Sequence, residues 1–342
     1  MRLADHIAQC HTPFAVQNAR DGSVTHLNNA ASFAKDIEQC ATRYVLSDDL
    51  TRLCTALAYS KGARTLACSD LLHVPAERVW IEWTEAPWRN ELACYGFKSD
   101  ADACSGRRGI LIQSNPEGRQ GLMRTFWTSG GSESQVRSSS MEAYFDFDTQ
   151  EGDEPDAFDR QTRPSWGVSD SAVGKADILR RCFRFRFERS WQAYYDGGQL
   201  TAVQSAAVAH HALGSIAIDI PVVLAFFLLL STRPNLPRRP LMLERLNRAR
   251  LKSGKPRLLE QIEVCSPLLS EYPPSRGSST EFGRRASRLH HVRGHLVRRG
   301  SQIFWRVPHL RGRARSGVVH SRTVTWTLDA PERKRGESRV TS

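Results

Sequence analysis

The sequence predicts an α+β fold with a helical N-terminal part, a central antiparallel sheet, one buried helix and a C-terminal basic β-hairpin or meander module. Three observations predict it. Apolar residues recur every three or four positions up to about residue 75, they alternate with polar ones from residue 79, and Lys and Arg gather in the last third. Residues 1–232 hold 23 Lys and Arg against 28 Asp and Glu, a net charge of −5, whereas residues 233–342 hold 25 against 8, a net charge of +17. That asymmetry sets the expected organisation: a body over 1–232 with an acidic loop at 142–168, a basic module over 233–330, and a disordered polar tail over 331–342. With 342 residues, 40% of them hydrophobic, the chain has ample material for a core, which argues against wholesale disorder.

Phe33, Ile37, Cys40 and Tyr44 are spaced by 4, 3 and 4, and Leu50, Leu53 and Leu57 by 3 and 4, so each set forms one helical stripe. Ser47 ahead of Asp48 and Asp49 marks a helix start, because its hydroxyl accepts from an orphan amide and the carboxylates face the positive helix end. Strands follow at 79–83, 109–113, 122–128 and 142–148, with Asn115, Pro116, Glu117 and Gly118 as the turn of a hairpin. Residues 130–140 are rich in Ser and Gly and read as a flexible loop, and 151–168 are acidic and broken by Pro155 and Pro164. Phe183, Phe185 and Phe187 alternate with charged residues as a further strand, and 199–213 are helical.

Residues 212–230 are apolar apart from Gly214, Ser215, Asp219 and Pro221. The part free of charged or hydroxyl side chains, 220–230, rises only about 16 Å as a helix, roughly half the hydrocarbon thickness of a bilayer. A buried helix capped by Asp219, with Pro221 in its first turn, is therefore expected in place of a membrane span. Beyond a proline-rich joint at 234–240, residues 241–251 read as a basic helix.

The eight cysteines contain no CxxC pair, so neither a zinc ribbon nor a thioredoxin-like motif is present, and scattered thiols suit a reducing compartment. The first residues lack a secretory signal, so a cytoplasmic protein is expected. Neither a Walker loop, a dinucleotide fingerprint, a GxSxG elbow nor an HExxH motif occurs, and no cofactor is expected.

The most informative segment is 289–312. With Arg299-Gly300 as a two-residue loop, Arg298 pairs with Ser301, Arg293 faces Arg306 and His295 faces Phe304. Val292, Gly294, Leu296, Ile303, Trp305 and Val307 then share one face, while His291, Arg293, His295, Phe304, Arg306 and Pro308 share the other. Facing arginines repel unless solvent screens them or an anion lies between them. Residues 318–328 make a third strand.

Three readings of this cationic face remain open. A nucleic acid is contacted by Arg293, Arg306, Arg311, Arg313, His291 and His295, with Phe304 as a stacking surface. In an adaptor or structural protein, the same Arg/His face is internal and meets carboxylates such as Glu82 and Glu85, leaving a protein as the partner. In a metal-dependent hydrolase or nuclease, Glu82, Glu85 and Glu91, or Asp146, Asp148, Glu151, Asp153 and Glu154, hold Mg²⁺. Histidines are poorer metal ligands here, since His291 and His295 four apart on a strand are about 13 Å apart.

The runs Leu246-Asn247-Arg248-Ala249-Arg250 with Gly254-Lys255-Pro256, His291-Val292-Arg293-Gly294-His295, Phe304-Trp305-Arg306 with Pro308-His309-Leu310-Arg311-Gly312, and Val79-Trp80-Ile81-Glu82-Trp83 resemble a pattern in uncharacterised proteins of prophages and other bacterial mobile elements. That resemblance implies a mobile-element setting and favours a nucleic-acid or host-protein partner, without implying a mechanism.

Overall fold

In a computed structural model of the chain, the residues described are 2–9, 14–17, 24–28, 30–59, 69–95, 106–128, 136–149, 179, 182–189, 191–192, 202–231, 236–266, 288–292, 295–299, 302–306, 309–311 and 313–318. In chain order they form α1 (Leu3–Ala8), β1 (Phe14–Gln17), β2 (Val24–Asn28), α2 (Ala34–Glu38), β3 (Thr42–Leu46), α3 (Asp48–Tyr59), β4 (Arg78–Thr84), α4 (Glu85–Cys94), β5 (Arg107–Ser114), β6 (Gln120–Thr128), β7 (Val136–Ser138), β8 (Met141–Asp146) and β9 (Phe183–Phe187). There follow α5 (Ala202–Leu230), β10 (Arg238–Pro240), α6 (Glu244–Lys252), β11 (Ile262–Val264), β12 (Arg288–Val292), β13 (His295–Arg299), β14 (Gln302–Arg306), β15 (His309–Arg311) and β16 (Arg313–Val318). The fold is α+β around a mixed, open nine-stranded sheet of order β10-β11-β3-β4-β5-β6-β8-β9, with β7 paired to the end of β6.

The sheet is not wholly antiparallel. β11, β3 and β4 run parallel, and β4, β5, β6, β8 and β9 are antiparallel. Parallel neighbours need a crossover, and α3 supplies it between β3 and β4. The helical stripe expected through Tyr44 fails for the same reason. The helix ends at Glu38, and the β-formers Thr42, Tyr44 and Val45 enter the sheet. Phe33, Ile37 and Cys40 pack on one side of the sheet, Tyr44 on the other. Residues 136–138 also pair with β6, so the expected loop at 130–140 holds a strand.

Both sheet faces are covered, and strand alternation divides the core in two. Val79, Ile81 and Trp83 of β4 join Ile110, Ile112 and Met123 under α3 and α5. Trp80, Leu111 and Phe126 meet Leu3, Ile7, Phe33 and Ile37 from the α1–α2 side. Trp80 lies close over β5: a Cβ on Gly109 would stand 2.4 Å from its ring, so only glycine fits there. The expected hairpin between β5 and β6 is present, with Gly118 at φ 69 and Asn115 Oδ1 accepting from the Arg119 and Gln120 amides. Ser47 Oγ accepts from the Leu50 amide at the start of α3, as its sequence position predicts.

The buried helix is present but longer than expected. α5 has 29 residues, and its side chains from Val222 to Leu229 are at most 1% exposed. By length and composition its 212–230 stretch is able to cross a membrane, and here it packs under the sheet. Asp219 is not its cap and Pro221 is not in its first turn; both lie inside the helix. Proline offers no amide to the carbonyl of Ala217, and the neighbouring carbonyl of Ile218 accepts from Tyr59 Oη at 2.7 Å.

The sheet continues beyond residue 232. β10 pairs with β11, and β11 joins β3, so residues 238–264 form one sheet edge with α6 between its last two strands.

Candidate nucleic-acid interface

Glu82 and Glu85 are the carboxylates an internal Arg/His lattice would require, and both are buried. Glu82 Oε2 accepts from the Ala4 amide and from Trp80 Nε1, each at 3.0 Å, and Oε1 accepts from Arg107 Nε at 3.0 Å. Glu85 Oε1 accepts from Arg89 Nε at 2.8 Å and from Arg108 Nε at 3.4 Å. Arg108 Nη1 also donates to Asp219 Oδ2 at 2.6 Å, tying β5 to α5, and its guanidinium lies 4.4 Å from the Trp88 ring centre. Arg107 and Arg108 are consecutive on a strand and therefore serve opposite faces of the sheet, Arg107 meeting Glu82 and Arg108 meeting Glu85 and Asp219.

Asp219 is the energetically exposed member of this cluster. Burial pushes its carboxyl up to about 6 despite the opposing pull of Arg108, and among the described residues its Oδ1 has no hydrogen-bond partner. Burial, with Asp219 nearby, also pushes the Tyr59 phenol well above its ordinary range, so Tyr59 remains a donor. Gly106 leaves the room Glu85 needs, since a Cβ there would stand 2.4 Å from Glu85 Oε2. The arrangement is an ionic staple between α4, β5 and α5. The sequence signals for it, paired arginines opening an apolar strand and one Asp in an apolar helix, name no partner by themselves.

The expected metal sites do not assemble among the described residues. Glu82 and Glu85 have partners on opposite faces of the sheet, and Glu91 is held near Tyr95 Oη at 3.5 Å. Asp148 binds Arg119, and Asp146 accepts from Gln120 and from the Asp148 amide. Glu151, Asp153 and Glu154 lie outside the described residues. No group of three His, Cys, Asp or Glu among the described residues is placed to hold a metal ion.

The basic segment forms a hairpin in a different register from the one expected. His291 is on β12, His295 on β13, Phe304 and Arg306 on β14, Arg311 on β15 and Arg313 on β16; Arg293 lies outside the described residues. Arg299 pairs with Gln302, Val297 with Phe304 and His295 with Arg306, a two-residue displacement from the register with Arg298 opposite Ser301. The first position of a two-residue hairpin loop demands φ > 0, which a non-glycine residue such as Arg299 resists, and Arg299 is paired within the strand. The same register continues into β12 and β15, where His290 pairs with Arg311 and Val292 with His309. Arg288 is also paired with Arg313 of β16. Three rungs thus set a basic residue against a basic residue. Residues 319–328, most of the expected third strand, lie outside the described residues.

No family model matches the chain, and no curated protein or solved structure matches it either.

Proposed function

We propose that the protein binds nucleic acid through its basic C-terminal third, with the hairpin residues Arg306, Arg311, Arg313, His291 and His295 at phosphates and Phe304 as a stacking surface. The observation that carries this reading is the occupancy of the internal carboxylates. Glu82 and Glu85 are engaged by Arg107, Arg108 and Arg89, which removes the support for an internal lattice with the tail. The rung Arg288↔Arg313 sets two cations opposite each other and favours an external anion that screens them, and His290↔Arg311 and His295↔Arg306 place two more arginines beside imidazoles that can donate to the same anion. A net +17 over residues 233–342 supplies the attraction for a polyanion.

The test is fluorescence anisotropy of the full chain with labelled DNA and RNA between about 50 and 200 mM salt. Each phosphate contact contributes about −0.9 to the slope of log K against log salt on duplex DNA. The expected result is tight binding at low salt with a steep loss, weakened by Arg306→Gln with Arg311→Gln. No binding at low salt, or binding that salt leaves unchanged, overturns the proposal.

A further inference from the structure

A second cationic surface lies outside the hairpin. Arg238 on β10, Arg245, Arg248 and Lys252 on α6, and Lys255 and Arg257 on the following turn are all exposed, and among the described residues none forms a salt bridge. The acidic residues on these elements are Glu244, Glu260 and Glu263, with Glu263 opposite Arg239, which is not counted among the six, and the buried Asp5 accepts from the Leu259 amide at 2.7 Å. We propose that β10, α6 and the turn after it form a second, preformed docking face for nucleic-acid phosphates. The proposal rests on the reading that the partner is a nucleic acid.

The helix geometry favours a phosphate backbone over a lipid surface. Arg245, Arg248 and Lys252 stand at i, i+3 and i+7 and share one side of α6. The exposed apolar residues do not behave as a unit. Met242, 79% exposed, precedes α6, and within the helix Leu246 and Leu251, 49% and 53% exposed, are five positions apart, about 140° around it, so no apolar face runs along α6 to lie in a bilayer. The cationic stripe is about 10 Å long and runs beside roughly six phosphate charges of a B-form duplex.

This face is built before any partner arrives. Asn247 locks the turn to the helix twice, donating to the Leu258 carbonyl at 3.1 Å and accepting from the Leu258 amide at 2.8 Å. Arg250 Nε donates to the Pro256 carbonyl at 2.8 Å, and Gly254 takes φ 67 just past the helix end. β10 and β11 fix both ends in the nine-stranded sheet. Little backbone freedom is left to lose on binding.

The experiment compares the full chain with its Arg245→Gln/Arg248→Gln/Lys252→Gln variant in the same salt series, beside the Arg306→Gln/Arg311→Gln variant. All three substituted α6 side chains are exposed, so the fold is expected to survive, which circular dichroism checks. The expected result is at least a tenfold loss of affinity at low salt and a salt slope shallower by about 2 to 3. Unchanged affinity and slope in the α6 variant, with binding lost in the hairpin variant, overturns the second face and leaves the nucleic-acid reading standing. Failure of the wild-type chain to bind overturns both. Binding to phosphatidylserine-containing vesicles that nucleic acid does not displace also overturns the assignment.

Discussion

Asp219 sits in the middle of an apolar helix, 1% exposed, with one oxygen on Arg108 and the other without a partner among the described residues. Its carboxyl is raised by burial to about 6, above the value near 4 of an unfolded chain. Between about pH 4 and 6 the folded protein therefore holds a proton that the unfolded chain has released. The Asp219 contribution to stability is fully present below about pH 4 and is lost as the pH rises through about 6, opposite to a carboxylate stabilised by its partner. Asp219→Asn removes this dependence. Urea unfolding should find the variant gaining on the wild type by on the order of 1–3 kcal/mol between about pH 4.5 and 7, and a pH-independent difference counts against the assignment. An Asp in an apolar run is visible in the sequence; that Arg108, 111 positions away, receives it is not, because strand and helix periodicities describe faces and leave partners unspecified.

At the scale of elements, α5 carries a proline in its interior. Pro221 leaves the Ala217 carbonyl without its helical donor, and the next carbonyl, that of Ile218, accepts from Tyr59 of α3. Tyr59→Phe removes that donor from the part-buried Ile218 carbonyl, and the unfolding free energy should fall by about 1 kcal/mol in denaturant titration. A change within a few tenths of a kcal/mol would mean the carbonyl is satisfied inside the helix. β4, β5, β6 and β9 were legible because period-two alternation survives even where both faces are buried, and Asn115 to Gly118 carries turn chemistry. β3 was not legible. Its five residues follow a short helix directly, and the spacing of Phe33, Ile37, Cys40 and Tyr44 mimics one stripe although Tyr44 serves the other core. The hairpin itself was legible and its register was not, since Arg299-Gly300 and Gly300-Ser301 are both loop-forming pairs and only the demand for φ > 0 at the first position separates them.

For the whole molecule, the change of charge at residue 233 does not coincide with an end of the sheet. β11 buries Val264 and lies against β3, and the Ser47 amide donates to the Val264 carbonyl at 3.0 Å. A chain cut after residue 232 exposes the edge of β3, a template for intermolecular pairing. One cut after residue 266 keeps the sheet whole. The expected outcome is aggregation of the first and a cooperative thermal transition for the second, read by size-exclusion chromatography and circular dichroism. A well-behaved, cooperatively folded 1–232 fragment would show that the edge strands are dispensable.

The sequence by itself determined the α+β class, most central strands, the turn at Gly118, the existence of a long buried helix and the gathering of positive charge in the last third. Each of these is a local property, written in periodicity, turn chemistry or composition. Only the tertiary structure decided that β3 and β11 lie parallel in the sheet, that Arg107 and Arg108 divide Glu82 and Glu85 between opposite faces, and that the hairpin sets Arg306 against His295. These are pairings between distant positions or registers between neighbours, which packing and hydrogen-bond geometry select from alternatives that the local pattern leaves equal.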